Sequence, residues 1–191
     1  MRRKDREMSR EYGLVVIDKA AYGCLCLNDP SNPELPYAVT LSIVRIAEKL
    51  YFHSARSGYK SQILKNGQKV RIVFVDQVEV PELFTDKELQ QMSDQGRLSD
   101  FVSKVFTTEY SSAIVTGTIE IIDPQGNTDE FRLAMQTICE KYTPDKMDYF
   151  ESALNFSLNR LSVFCVKIDS ITSKRKKFDD SGEEMKWQRL N

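Results

Sequence analysis

Apolar and polar residues alternate most clearly between Tyr110 and Ile122. Ala113, Val115, Gly117, Ile119 and Ile121 fall on one side of an extended chain, and Ser112, Thr116, Thr118 and Glu120 on the other. This period of two predicts a long strand with one buried face. From Val70 to Val78 the chain predicts a strand apolar on both faces, because Val70, Ile72 and Phe74 alternate with Arg71, Val73 and Val75. Shorter runs over Tyr22 to Leu27, Tyr37 to Ile46, Leu50 to Ser54 and Leu161 to Ile171 complete a set of six predicted strands. The run Asn28-Asp29-Pro30-Ser31-Asn32-Pro33 is a strong loop signal after the first of them.

Helical spacing appears elsewhere. Ser9 to Ala20 reads as a helix, with Glu11 near its start, Lys19 near its end, and Leu14, Val15 and Ile17 as its apolar side. Between the last two strands, Asn127 with Glu130 three residues on forms a capping-box pattern, and Phe131, Met135, Ile138 and Tyr142 follow at helical intervals. Thr143 then reads as an N-cap with Pro144 at the first helical position, ahead of a second stripe of Met147, Phe150, Leu154 and Leu158. Such stripes read as core. The stretch Glu82 to Phe106 is polar with scattered Leu, Met and Phe, and predicts one or two short helices. Strands and helices do not alternate regularly, so the expected class is α+β. It would be a mainly β, antiparallel six-stranded barrel or sandwich with peripheral helices.

Composition narrows function mostly by exclusion. The 191 residues are 41% hydrophobic and 29% charged, an ordinary mixture for one domain. The net charge of −1 gives no general pull toward nucleic acid. The basic run Lys174-Arg175-Lys176-Lys177, followed by Asp179, Asp180, Glu183 and Glu184, reads as part of a solvated tail over about 173–191. No stretch suits a membrane span, and no apolar segment follows the charged start, so a cytoplasmic location is expected. Cys24 and Cys26 would share one strand face, as a metal or redox pair would require. His53 is the only histidine and there is no second close cysteine pair, so no metal site is expected and all four cysteines read as small buried hydrophobes.

Candidate chemistry gathers in Leu50 to Leu64. A strand ends in His53 and Ser54, a turn contains Gly58, and a short helical pattern begins near Tyr59 and Lys60. Free N–H groups at a helix start, a serine hydroxyl and a lysine are the parts of a phosphate site, although strand–turn–helix segments with a lysine are also commonplace.

Tyr51-Phe52-His53-Ser54-Ala55, with Gly58 and Lys60, resembles the flavin-phosphate segment of the nitroimidazole-resistance branch of the pyridoxamine 5'-phosphate oxidase-like family. Other pieces match in order. Arg2 to Met8 resembles the branch's start, Tyr22-Gly23-Cys24-Leu25 its first strand, and Leu35 to Leu41 its Pro-Tyr strand with Thr40 in place of a second proline. Tyr110 to Gly117 resembles its Tyr-x-Ser strand, and Ile171-Thr172-Ser173-Lys174 its Ile-Thr-Gly-Lys. The resemblance implies a split β-barrel homodimer with FMN at the subunit interface and a small-molecule substrate. By position, it implies phosphate contacts from His53, Ser54, Ala55, Tyr59 and Lys60. The isoalloxazine ring would lie against Tyr37, Ala38, Val39 and Thr40, with Ser112 reaching the flavin from the fifth strand. His53 is the implied catalytic residue, suited by its ordinary pKa to proton transfer; the other reading is a hydrogen-bonding strand residue.

Residues of about 82–106 look like an insertion relative to the branch, and the tail with Trp187 has no counterpart in it. Two functions follow. One is an FMN-dependent oxidoreductase reducing a small acceptor such as a nitroaromatic; the other is a non-catalytic flavin- or heme-binding protein, with His53 as a candidate heme ligand.

Overall fold

The computed structural model describes residues 3–186. Within them the chain forms β1 (Glu7–Met8), α1 (Arg10–Lys19), β2 (Gly23–Asn28), β3 (Pro36–Leu41), β4 (Val44–Ile46), β5 (Lys49–Ala55), α2 (Tyr59–Ile63) and β6 (Lys69–Glu79). It continues with α3 (Asp86–Asp94), α4 (Leu98–Val105), β7 (Glu109–Ile122), α5 (Thr128–Tyr142), α6 (Phe150–Ser157) and β8 (Leu161–Lys176).

All strands pair antiparallel in one sheet ordered β3-β2-β6-β7-β8-β5-β4, with β1 added on β8. The two edge strands, β3 and β4, are neighbours in sequence, joined only by Ser42 and Ile43. Two residues cannot span the width of a flat seven-strand sheet, whose strands lie about 4.8 Å apart. The sheet therefore curls until its edges approach, but it is not closed. The fold is α+β, as the sequence predicts.

Alternation on β5 and β8 divides the core in two. Leu50 and Phe52 face the barrel interior with Phe164 and Val166, and the Phe52 and Phe164 rings stack with centroids 5.2 Å apart. Tyr51, Val163 and Cys165 face the other way and are covered by Phe131, Met135 and Ile138 of α5 and Phe150 and Leu154 of α6. Helix α1 packs Val16 and Ile17 into the barrel core, and the Ser9 hydroxyl caps it by accepting from the Tyr12 N–H. Gly13 permits that approach: a Cβ there would stand 2.7 Å from Ile171 Cγ2.

Several expectations need correction. The sheet has eight strands, not six. Tyr37 to Ile46 is two strands, because the chain passes from one sheet edge to the other at Ser42–Ile43, and β1 has no alternation long enough to read. The basic run is not a solvated tail. Lys174, Arg175 and Lys176 pair with Ser112, Ser111 and Tyr110 in β8, and Phe178 beyond them is buried. A strand with one solvated face accepts charge at every second position. Val15 is 46% exposed, and Val16 takes its place in the core. Thr143 makes no side-chain cap; its hydroxyl donates to the Cys139 carbonyl, Pro144–Tyr149 is a 3-10 turn, and α6 starts only at Phe150. Of the four cysteines only Cys165 is buried. Trp187 lies outside the described residues. Among the described residues no helix is long and apolar enough to cross a membrane, and no three metal-ligating side chains cluster.

Candidate functional site

The candidate site begins where β5 leaves the sheet. Backbone bonds from Gly58 N–H to the Ala55 carbonyl (3.2 Å) and from Ser61 N–H to the Gly58 carbonyl (2.9 Å) turn the chain into α2, and the Ser61 hydroxyl also donates to Ala55 O (2.7 Å). Arg56 fixes this turn from outside: its N–H donates to Arg160 O and its guanidinium Nε to Leu161 O, each at 3.0 Å, which ties it to the entry of β8. Gly58 sits at φ −76°, a conformation open to any residue, and a Cβ there would meet only Ala55 O at 3.4 Å and Ser54 Oγ at 3.8 Å. Its glycine is therefore not demanded by the backbone.

Two polar groups at this turn are left over by the fold. Lys60 is half-buried, its ammonium stands 5.9 Å from the centroid of Phe52, and no carboxylate among the described residues pairs with it. Burial lowers its pKa. His53 Nδ1 is buried and makes no hydrogen bond. Burial first, and Lys60 second, lower the His53 pKa from its ordinary 6.5, so the imidazole is neutral at pH 7. A neutral imidazole accepts a proton more readily than it gives one.

The second wall comes from β3 and the loop before it. The Tyr37 and Tyr59 rings meet edge to face at 5.6 Å. The Tyr59 hydroxyl donates to Asp29 at 2.5 Å and lies 2.6 Å from the Ser31 hydroxyl, which itself bonds Asp29 at 2.7 Å. The Tyr59 hydroxyl is thus engaged by a carboxylate. Asp29 and Ser31 are site residues that sequence reasoning missed. The Asn28–Pro33 run signals a loop, but nothing local names a partner about thirty residues away.

The sequence-derived set is only partly gathered. Ser54, Tyr59 and Lys60 flank one turn, and Tyr37 reaches it through its ring contact with Tyr59. Tyr37 and Val39 pair with the inward-facing Leu27 and Leu25, so Ala38 and Thr40 point outward. His53 shares the helix-covered side with Tyr51 and Val163, while Ser54 points to the opposite side, because strand neighbours face opposite ways. Ala55 is exposed at the strand end. Ser112 is remote. The position on β7 aligned through β8 with His53 is Ile122, ten residues further along, which is at most about 33 Å at strand rise. Its neighbour Ser111 faces inward, 2.6 Å from the Tyr12 hydroxyl, and Ser112 faces outward.

No protein-family model matches the sequence, and no curated protein sequence matches it. Solved structures do share the fold. A Bacteroides thetaiotaomicron VPI-5482 protein named for 5-nitroimidazole antibiotic resistance superposes with a TM-score of 0.62 at 20% identity, covering 88% of this chain and 86% of its own. An FAD and heme binding protein from Mycobacterium smegmatis gives 0.61 at 14% identity, with 89% and 73% covered. An FAD-binding protein from Mesorhizobium loti gives 0.58 at 19% identity, with 90% and 98% covered. The chain therefore shares its fold, an open antiparallel split barrel, with these nitroimidazole-resistance and flavin- or heme-binding proteins, and it is the fold that the motifs implied.

Proposed function

We propose that this chain binds a flavin, with the cofactor phosphate at the Ser54–Lys60 turn. The observation that carries this reading is Lys60, a desolvated cation with no carboxylate partner beside a serine hydroxyl and an uncapped helix start. Buried charges are normally paired, so an anion is the missing partner that fits. The orphaned His53 Nδ1 is a second group that a ligand would satisfy. The M. smegmatis and M. loti neighbours are named for FAD binding, which supports a flavin; FMN is the form proposed here, because the motifs around His53 to Lys60 resemble a flavin-phosphate segment. A bound flavin supplies the redox chemistry, and the chain's part is to hold and orient it. The proposed reaction is reduction of a small acceptor such as a nitroaromatic, with His53, on the other face of β5 from Ser54, as the proposed proton-sharing residue at that strand end.

A homodimer follows from the same reading. Ser112 stands far along β7 from the turn of its own protomer, and in the proposed dimer a second copy would supply the β7 end beside the flavin. The heme-binding alternative rests on His53, whose unbonded ring nitrogen would be the atom to hold the iron.

The test is the visible spectrum of the protein before and after loading with FMN or FAD, followed by titration of Lys60→Ala. Flavin retention with about 10- to 100-fold weaker binding in the variant is expected, the range for losing a charge-assisted hydrogen bond. Equal affinity in both proteins would overturn the phosphate assignment, and a heme spectrum would favour the alternative.

A further inference from the structure

Cys24 and Cys26 flank Leu25 on β2. Leu25 is fully buried in the barrel, so the two thiols share the outer face, where Cys24 pairs with Thr40 and Val73 and Cys26 with Ala38 and Arg71. Their sulfurs are 4.0 Å apart, and both side chains are partly exposed. Cys26, Arg71 and Thr116 line an open groove of about 410 Å³.

A zinc centre is not what this pair offers, since among the described residues no third ligand joins it. A disulfide is also poorly served. The sulfurs would have to close from 4.0 Å to about 2.05 Å. The Cα atoms of alternate strand residues stand about 6.7 Å apart, near the upper limit that a disulfide spans. Hydrogen bonding to β3 on one side and β6 on the other holds β2 against the necessary pucker. One thiophilic atom between the sulfurs needs no such movement. At bonds of about 2.3 Å, a 4.0 Å separation subtends about 120°, within small side-chain rotations of a pyramidal centre.

We propose that Cys24 and Cys26 form a two-point binding site for trivalent arsenicals of the arsenoxide class. Two As–S bonds replace the As=O bond, the two thiol protons leave with that oxygen as one water, and arsenic stays trivalent. Burial first and the neighbouring Cys24 second raise the Cys26 pKa, so this thiol keeps its proton at neutral pH. That slows simple alkylation, which needs a thiolate, and leaves the proton to depart in the condensation. The second thiol makes the chelate hold: once one As–S bond forms, the other sulfur is already 4.0 Å away.

The test treats the reduced full-length protein with one equivalent of phenylarsine oxide, then counts adducts by intact mass and remaining thiols by a colorimetric reagent in denaturant. One phenylarsenic per chain and a loss of two thiols are expected, the adduct surviving excess monothiol and reversed by a small dithiol. Cys24→Ser and Cys26→Ser should each weaken retention about 100-fold or more, the gain typical of a linked second contact. Cys139→Ser and Cys165→Ser should leave retention unchanged. Circular dichroism checks that each variant is folded, and Cys24→Ala serves where the serine is not. Retention in the Cys24→Ser/Cys26→Ser double variant, or loss of a single thiol in the parent, would overturn the proposal. The readout is independent of flavin, so failure of either reading leaves the other standing.

Discussion

Strand β5 has a lysine-centred polar group at each end, and the two are resolved differently. At its start, Lys49 Nζ donates to Glu130 at 2.7 Å and the Tyr51 hydroxyl to the same oxygen at 2.6 Å, while the Asn127 amide bonds the other oxygen at 2.5 Å. Every member is satisfied, and the cluster pins the first turn of α5 onto the sheet. At the far end, among the described residues, no carboxylate pairs with Lys60 and His53 Nδ1 has no hydrogen-bond partner. Native folds pair nearly all buried polar groups, so the start of β5 reads as architecture and its end as a place built for something outside the chain.

Substitutions at the two ends should therefore fail in different assays. The largest expected effect is the 10- to 100-fold loss of flavin affinity in Lys60→Ala. Its stability in urea should stay within about 0.5 kcal/mol of the parent, since no intramolecular partner is stranded. Glu130→Ala should do the reverse. It leaves the Tyr51 hydroxyl and the Lys49 ammonium without their acceptor, at a cost of about 1–3 kcal/mol in urea unfolding, with flavin affinity of the folded protein unchanged. Tyr51→Phe, which removes one donor and keeps the ring in the second core, should cost about 0.5–1.5 kcal/mol in the same titration. If Glu130→Ala lost flavin as severely as Lys60→Ala, the two ends would be one functional unit and the contrast would collapse.

This contrast was half legible in the sequence. The alternation in β7 and the spacing of Phe131, Met135 and Ile138 identify faces, because burial acts on each element locally. The strand–turn–helix around Gly58 is equally visible. What decides the roles is pairing at long range. Glu130 reads as part of a cap, and it is that, but its hold on Lys49 and Tyr51 depends on α5 returning over β5. The alternation of β7 already sends Ser111 inward with Ala113 and Ser112 outward, but that Ser111 meets the Tyr12 hydroxyl depends on α1 packing across the sheet. The lysines of β8 were misread for a related reason. A run of like charges resembles a tail until the partner strand is known, and that partner lies some sixty residues earlier.

The smallest expected effect separates the two ends by pH. His53 is the only histidine in the chain, so mild acid titrates the far end almost alone. Its folded pKa lies below its ordinary 6.5 because burial and Lys60 oppose the charge. As pH falls through that ordinary value, the unfolded chain takes up a proton that the folded chain resists, so stability must fall with it. Glu130 responds lower down: hydrogen bonds from Lys49 and then Tyr51 hold its pKa below the ordinary 4.5, and its contribution is present above that value and lost as pH falls through the depressed one. Urea midpoints followed from pH 7.5 to 5.5 should decline in the parent by the equivalent of about 0.5–1 kcal/mol, a fraction of the shift that one unit of pKa represents, and should be flat in His53→Ala. Glu130→Ala should keep the parent's slope in that window and fall less steeply than the parent only below about pH 4.5, where the other paired carboxylates still titrate. An unchanged slope in His53→Ala would mean that its imidazole is hydrated in the folded protein, and the unpaired Nδ1 would no longer mark the far end of β5 as a binding site.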